Sequence, residues 1–375
     1  MDLIKHRKRV RAYVETTLAL WSSAGYDSRK SVFIEALDFD GAPLADLPRR
    51  GRVQARQVYV YALAHLFGYD PSGQYLSLAE KTSNSVESIY RHASGGWVFS
   101  ADPHGNVLRE DSYAYEQSFR IMSLAALSKA TKNSVYASQA EDSWQWIESL
   151  RHDAHGGFEL GFPRPDADIP REQNPHMHLF EACLEAAPLD SERWCARADE
   201  IYQLAVSRFI SPEGALVEFF QDDWTPDPVT GADIQPGHHF EWVWLLTQYS
   251  KRSKAIIPAI TTLYDNGIAW GLDADGLGVD EVRPGGEILR GTKRLWVQCE
   301  VLKGHLARYE TTREEVYLSR AFQVLDGMFA HYLFEQSGAW YDQIDANNAN
   351  ISPNAPASSL YHVLVALNEF LRVTA

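Results

Sequence analysis

Along the chain, stretches with charged residues on one helical face and Leu, Ala, Ile or Val on the other alternate with stretches whose apolar residues spread more evenly around the helix. The first kind predicts half-exposed outer helices over about 3–23, 74–93, 134–151, 190–210, 251–271 and 313–335. The second predicts inner helices over about 50–68, 112–130, 175–187, 237–250, 291–309 and 356–372. Asn174 reads as a helix cap with Pro175 at the first helical position, and Pro356 as the same signal for the last helix. Each outer stretch runs into a glycine turn, often with an aromatic beside it: Gly25-Tyr26, Gly96-Trp97, Gly157-Phe158, Gly214-Ala215, Gly276-Leu277 and Gly338-Ala339-Trp340. The glycines are 71, 61, 57, 62 and 62 residues apart. A helix pair too small to bury its own apolar face does so against copies of itself. Six pairs therefore predict an all-α, (α/α)6 barrel with short β-turn or hairpin segments at one end. No linker interrupts the pattern, so residues 1–375 are expected to form a single catalytic domain.

Ionisable residues recur on the inner stretches in register. Arg52 and Arg56 lie four apart, His178 and Glu181 three apart, His238 and Glu241 three apart, Trp296 and Glu300 four apart, and His362 stands in Ser359-Leu360-Tyr361-His362. Such spacings share a helix face. The steps 56→178→238→300→362 are 122, 60, 62 and 62, so these groups occupy equivalent places around the ring and converge at one end. A lone member would read as a core histidine or a solvated ion pair. Five helices carrying such groups at one depth are costly to bury without a ligand. His65, His92, His104, His152 and His155 show no such register and read as surface or loop residues.

Composition narrows the chemistry. Hydrophobic residues at 45% and aromatics at 12%, with 11 Trp and 18 Tyr, supply a large core and enough aromatic surface to line a sugar pocket. The net charge of −15 argues against nucleic acid and anionic membranes. Three scattered cysteines, Cys183, Cys195 and Cys299, suit neither a disulfide framework nor a zinc ribbon, which points to a reduced, cytoplasmic protein. The basic start around Lys5 to Arg9 is interrupted by Arg11 and Glu15 and reads as an amphipathic helix, not a signal peptide.

Histidine takes and gives protons near neutrality, and a carboxylate one turn away fixes its tautomer, as Glu241 is expected to do for His238. With Arg56 as a fixed donor and helix N-termini aimed at the cavity, the set favours an oxyanion developing beside a carbonyl while protons move on carbon. Enediolate chemistry on a sugar fits. His176/His178 and His238/His239 are spaced to diverge on a helix and make poor chelating pairs, which leaves a ligand set drawn from separate helices as the competing reading; no metal and no cofactor are expected, and no phosphate loop or nucleophile motif is found. Two further readings are a glycoside hydrolase working through Glu181, Glu241, Glu300 or Asp342, and a non-catalytic sugar-binding protein. The first leaves the histidine register unexplained.

Arg52-Val53-Gln54-Ala55-Arg56, Asn174-Pro175-His176-Met177-His178-Leu179-Phe180-Glu181, Pro236-Gly237-His238-His239-Phe240-Glu241-Trp242, Tyr361-His362 and Trp340-Tyr341-Asp342 resemble the signature segments of the N-acylglucosamine 2-epimerase superfamily, most closely its mannose-isomerase branch. The resemblance spans the chain. It implies the (α/α)6 fold and metal-independent isomerisation or epimerisation through a cis-enediol(ate). It further implies His238 and His362 as the acid/base pair, His178 and Arg56 at the sugar oxygens, and Arg52, Glu181, Glu241, Glu300, Trp296 and Asp342 as substrate-pocket residues. The stretch Thr230–Gln235 lacks the arginine that the sulfosugar members carry before Pro-Gly-His, and the chain is short for a disaccharide epimerase. A neutral monosaccharide follows, with D-mannose to D-fructose expected and 2-epimerisation of mannose, cellobiose or an N-acylglucosamine as the alternative. A homo-oligomer is compatible with this reading.

Overall fold

The computed structural model describes residues 2–152, 154–164 and 169–375. Six helices form the outer layer: α1 (Leu3–Ser23), α3 (Gln74–Tyr90), α5 (Ser134–Glu148), α7 (Ser191–Leu204), α9 (Ala259–Gly271) and α11 (Glu315–His331). Six form the inner layer: α2 (Gly51–Leu66), α4 (Ala114–Thr131), α6 (Asn174–Ala186), α8 (Pro236–Ser253), α10 (Leu295–Thr312) and α12 (Leu360–Val373). Each inner helix packs on the next, and α12 returns to α2, which closes the ring. The (α/α)6 barrel read from the sequence is the fold observed.

Burial separates the two layers. In α2 every residue from Val53 to Ala64 is buried, whereas α3 buries only Tyr75, Ala79, Thr82, Ser83, Val86 and Tyr90, one stripe of a helix. The amphipathic α1 is present and buries Val10, Tyr13, Val14, Thr17, Leu18 and Trp21. Short loops join each inner helix to the outer helix after it, so the packed hairpins are α2–α3 through α10–α11, and the sixth joins the chain's two ends, α12 with α1.

A stitch repeats six times at the end where the inner helices begin. Residues leading into an inner helix pair antiparallel with the segment that follows the next outer helix. The pairs are Arg49–Arg50 with Ser100–Ala101, Ser112–Tyr113 with Gly161–Phe162, Arg171–Glu172 with Phe219–Phe220, Ile234 with Val282, Lys293–Arg294 with Gln343–Ile344, and Ala355–Pro356 with Ala36–Leu37. These pairings fix where each inner helix starts. A second repeated device ties those helices to the glycine turns. Gln54 accepts from the Phe33 amide at 2.8 Å, His176 from Phe158 at 2.9 Å, His239 from Leu216 at 3.2 Å and Gln298 from Gly278 at 2.8 Å. His176 and His239 therefore serve the scaffold.

The boundaries differ from the sequence reading at a few places. The fifth outer helix starts at Ala259, not near 251, because residues 251–253 complete α8 and Lys254 ends it with φ 62°. Residues 291–294 and 112–113, expected inside helices, lie outside them, 293–294 and 112–113 in the β stitch. Pro356 belongs to that stitch as well, and a 3-10 turn over Ala357–Ser359 separates it from α12. At α6 the cap position is Gln173, so Asn174 is already the first helical residue. No described helix is long and apolar enough to cross a membrane.

Candidate active site

Because helical side chains lean towards their own N-terminus, residues of the first two turns of the inner helices reach into the mouth of the barrel. There Arg56, Tyr115, His178, His238, Glu241, Trp296, Asp342 and His362 line a cavity of about 230 Å³, joined by Asn174, Gln235, Arg294, Ser358 and Ser359. Seven of the ten residues singled out from the sequence thus share one space. Glu181 and Glu300 lie behind the histidines. Arg52 does not reach this cavity: it pairs with Glu116 at 2.7 Å and lines a neighbouring groove that shares Tyr115 and Asn174.

Three histidines are held in the same way. His178 Nδ1 lies 3.0 Å from Glu181, His238 Nδ1 lies 2.9 Å from Glu218, and His362 Nδ1 lies 2.8 Å from Glu300. A carboxylate at Nδ1 fixes the proton there and leaves Nε2 with its lone pair. Among the described residues nothing hydrogen-bonds to any of these three Nε2 atoms. Burial, reinforced by Arg56 and Lys303, pushes the His362 imidazole well below its ordinary range, and burial lowers His178 too, so both rings are neutral bases at neutral pH. Trp296 packs near both His238 and His362, its ring centroid 5.1 Å from the first and 5.8 Å from the second.

The partner of His238 corrects the sequence reading. Glu241 was expected to orient it, yet the carboxylate at its Nδ1 belongs to Glu218, in the segment entering the 219–220 strand. The reason is direction: His238, in the first turn of α8, leans out of the helix end, while Glu241 sits one turn deeper. Gln173 donates to Glu218 at 2.9 Å and accepts from Trp242 at 2.8 Å, which fixes the Glu218 carboxylate in turn. The sequence signal for Glu218 was an acid flanked by apolar residues in Leu216-Val217-Glu218-Phe219-Phe220; Gln173 carried no comparable signal.

Glu241 instead faces the floor, 4.0 Å from His178, and neither of its oxygens has a hydrogen-bond partner among the described residues. Burial and the nearby Glu300 charge hold it well above the usual carboxylate range. Arg56 donates to the Ser358 carbonyl at 3.1 Å and to the Tyr115 hydroxyl at 2.8 Å, with its guanidinium 4.1 Å over the Phe119 ring. Asp342 accepts from Ser359, and burial raises its carboxyl. Two further residues were missed. Tyr361 donates to Glu181, and the fully buried Lys303 ammonium lies 2.6 Å from Glu300. Lys303 stands three residues after Glu300, the spacing that should have marked it.

Donor atoms of His178, Glu181 and Glu241, and of Glu241, Glu300 and His362, come close enough to share a cation. In the second set Lys303 already brings a positive charge to Glu300.

Residues 33–366 match the N-acylglucosamine 2-epimerase (GlcNAc 2-epimerase) family. The chain is 33% identical over 369 residues to a mannose-6-phosphate isomerase of Rhizobium meliloti, covering 95% of this chain and 94% of that one. It is 26% identical to a D-mannose isomerase of Marinomonas mediterranea, covering 96% of each. Among solved structures, a D-mannose isomerase superimposes with a TM-score of 0.89 at 24% identity, covering 97% of both chains. A cellobiose 2-epimerase from Spirochaeta thermophila does so with 0.89 at 22% identity, covering 99% of this chain and 97% of that one. The chain belongs to the N-acylglucosamine 2-epimerase family and is an enzyme of its sugar isomerase/epimerase class.

Proposed function

We propose that the enzyme interconverts a neutral aldohexose and its ketose, D-mannose and D-fructose, through a cis-enediolate, with His238 and His362 as acid/base groups. The observation that carries this is the pair of histidines anchored at Nδ1, 2.9 Å and 2.8 Å from their carboxylates, both with their rings against Trp296. Isomerisation needs one base to lift the proton from C2 while the C1 oxygen gains one. The O2 proton then leaves as C1 is protonated. Two rings with free Nε2 atoms suit both halves of that exchange. Arg56 and His178 stand where they would meet the oxygens that carry the developing charge, and the N-termini of the inner helices add positive potential there.

A neutral substrate is supported by the cations of the cavity. Of its two arginines, Arg294 is paired with Asp280 at 3.0 Å, and Arg56 has no carboxylate partner among the described residues. In the adjoining groove Arg52 is neutralised by Glu116 and Arg109 by Asp111. One unpaired guanidinium is less than a phosphate receptor usually assembles. The relative named for mannose 6-phosphate makes the opposite reading specific enough to test. Purified enzyme should convert D-mannose with a higher kcat/KM than mannose 6-phosphate, and exhaustive chelation should leave the rate unchanged. A preference for the phosphorylated sugar would replace the substrate, accumulation of glucose without ketose would make the enzyme an epimerase, and activity restored by one divalent ion would end the metal-free mechanism.

A further inference from the structure

Below the cavity the barrel holds a buried charge cluster that the acid/base pair alone does not require. Glu181 from α6, Glu241 from α8, Glu300 and Lys303 from α10, and Tyr361 from α12 meet there, all buried. Lys303 is the cation of this group. Its ammonium lies 2.6 Å from Glu300 Oε2 and 4.1 Å over the Trp244 ring, while Glu300 Oε1 is the atom 2.8 Å from His362 Nδ1. Ammonium, carboxylate and imidazole therefore form a line that ends at a catalytic candidate.

Stability gives no reason for a lysine at this position. A buried ion pair contributes little net stability, and an apolar side chain of similar volume would serve the core at least as well. We propose that Lys303 is a positioning residue for His362: its ammonium keeps Glu300 anionic, so that His362 donates from Nδ1 and presents Nε2 to the cavity as the free base. The inference rests on the acid/base assignment of His362 made above. Burial and the neighbouring Glu181 charge push the Glu300 carboxyl up, and Lys303 is the largest effect opposing them. Without Lys303, Glu300 takes up a proton and becomes a donor. The His362 proton then moves to Nε2, and the base facing the substrate is lost.

The groups that face this line from the surrounding helices are Arg56 (α2), His178 and Glu181 (α6), Glu241 (α8) and Tyr361 (α12). Arg56 is the only other cation among them, and it acts on the ring of His362. Burial and the Glu300 charge raise the Glu241 carboxyl, and the hydrogen bond from His178 holds Glu181 low despite its burial. The ammonium of Lys303 is itself raised above its ordinary range, because the three carboxylates outweigh its desolvation. It stays charged wherever the enzyme is folded.

The test joins kinetics to a direct reading of the tautomer. Lys303→Met and Lys303→Gln should lower kcat at neutral pH by about 10²-fold, the scale of one positioned acid/base group, with KM little changed. Activity should return as pH rises and Glu300 loses its proton again, a limb absent from the wild-type profile. Lys303→Arg should recover most of kcat, and adding Glu300→Gln to Lys303→Met should cost little beyond Glu300→Gln alone. In unliganded wild-type enzyme, 15N spectra of the histidine rings, with His362 assigned by its loss in His362→Gln, should show the proton on Nδ1 across the folded range. That readout needs no substrate, so it stands apart from the identity of the sugar and remains decisive if the Met and Gln variants do not fold. A proton on Nε2 of His362, or a Lys303→Met enzyme with an unaltered pH profile and kcat within about threefold of wild type, overturns the proposal.

Discussion

At the scale of residues, the site is one device used three times, a histidine whose Nδ1 is fixed by a carboxylate at 3.0, 2.9 or 2.8 Å. If His238 and His362 move protons, His238→Asn and His362→Asn should each lose about 10²–10⁴-fold in kcat, and the double variant should fall far short of the product of the two losses. A packing role predicts instead a lower melting temperature with activity per folded molecule kept. Glu218→Gln should lose roughly 10²-fold or more in kcat, because an amide can no longer enforce the tautomer of His238. The histidines and arginines were legible because they recur at fixed steps on helices. Glu218 was not, because its place follows from the lean of the His238 side chain and the path of a strand, neither of which periodicity records. The buried scaffold histidines give a pH signature of another kind. Burial lowers His305, whose Nδ1 lies 2.8 Å from the Tyr264 hydroxyl, to about 3. The unfolded chain binds that proton near 6.5 and the native protein does not, so the stability this group contributes is complete above pH 6.5 and is lost as pH falls below it. The destabilisation measured for His305→Gln by denaturant unfolding should therefore shrink by about 2 kcal/mol between pH 6.5 and pH 5.

At the scale of elements, helices were read correctly where one face is apolar, and boundaries were misplaced where the stop is unusual. Lys132, Lys254 and Arg313 end α4, α8 and α10 in the left-handed region, where glycine is the commoner signal, so the α8–α9 junction gave no mark in the sequence. Short β segments at one end were expected, but the residues of the six stitches were not marked, because pairings of one or two residues are too short to show alternation. The glycine turns were visible and their geometry explains them. Gly338 has φ 76°, and a Cβ there would sit 2.7 Å from Thr17 Cα in α1, the helix that closes the ring. Gly285 also has positive φ, with no atom within 4 Å of such a Cβ. Gly338→Ala should cost more than about 2 kcal/mol and Gly285→Ala about 1 kcal/mol, since only the first adds a backbone collision to the φ penalty. Equal melting temperatures for the two variants would contradict that account.

At the scale of the whole molecule, the ring is closed by contacts between the two ends of the chain: α1 on α12, and Ala36–Leu37 paired with Ala355–Pro356. If such closure makes the full chain one cooperative unit, its fluorescence and far-UV circular dichroism should unfold in a single coincident transition. Two separated transitions would mean that the ring divides. Closure also sets the chemistry, because it carries His362, near the C-terminus, to the cavity that His178 and His238 line from the middle of the chain. The central claim is that this convergence moves protons between C1 and C2 of an unmodified aldohexose. The most direct measurement is NMR of D-mannose with enzyme in D2O in the presence of a chelator. The account predicts D-fructose carrying deuterium at C1, delivered by a histidine that exchanges with solvent. No ketose from mannose, or ketose formed with no deuterium at C1, would contradict it.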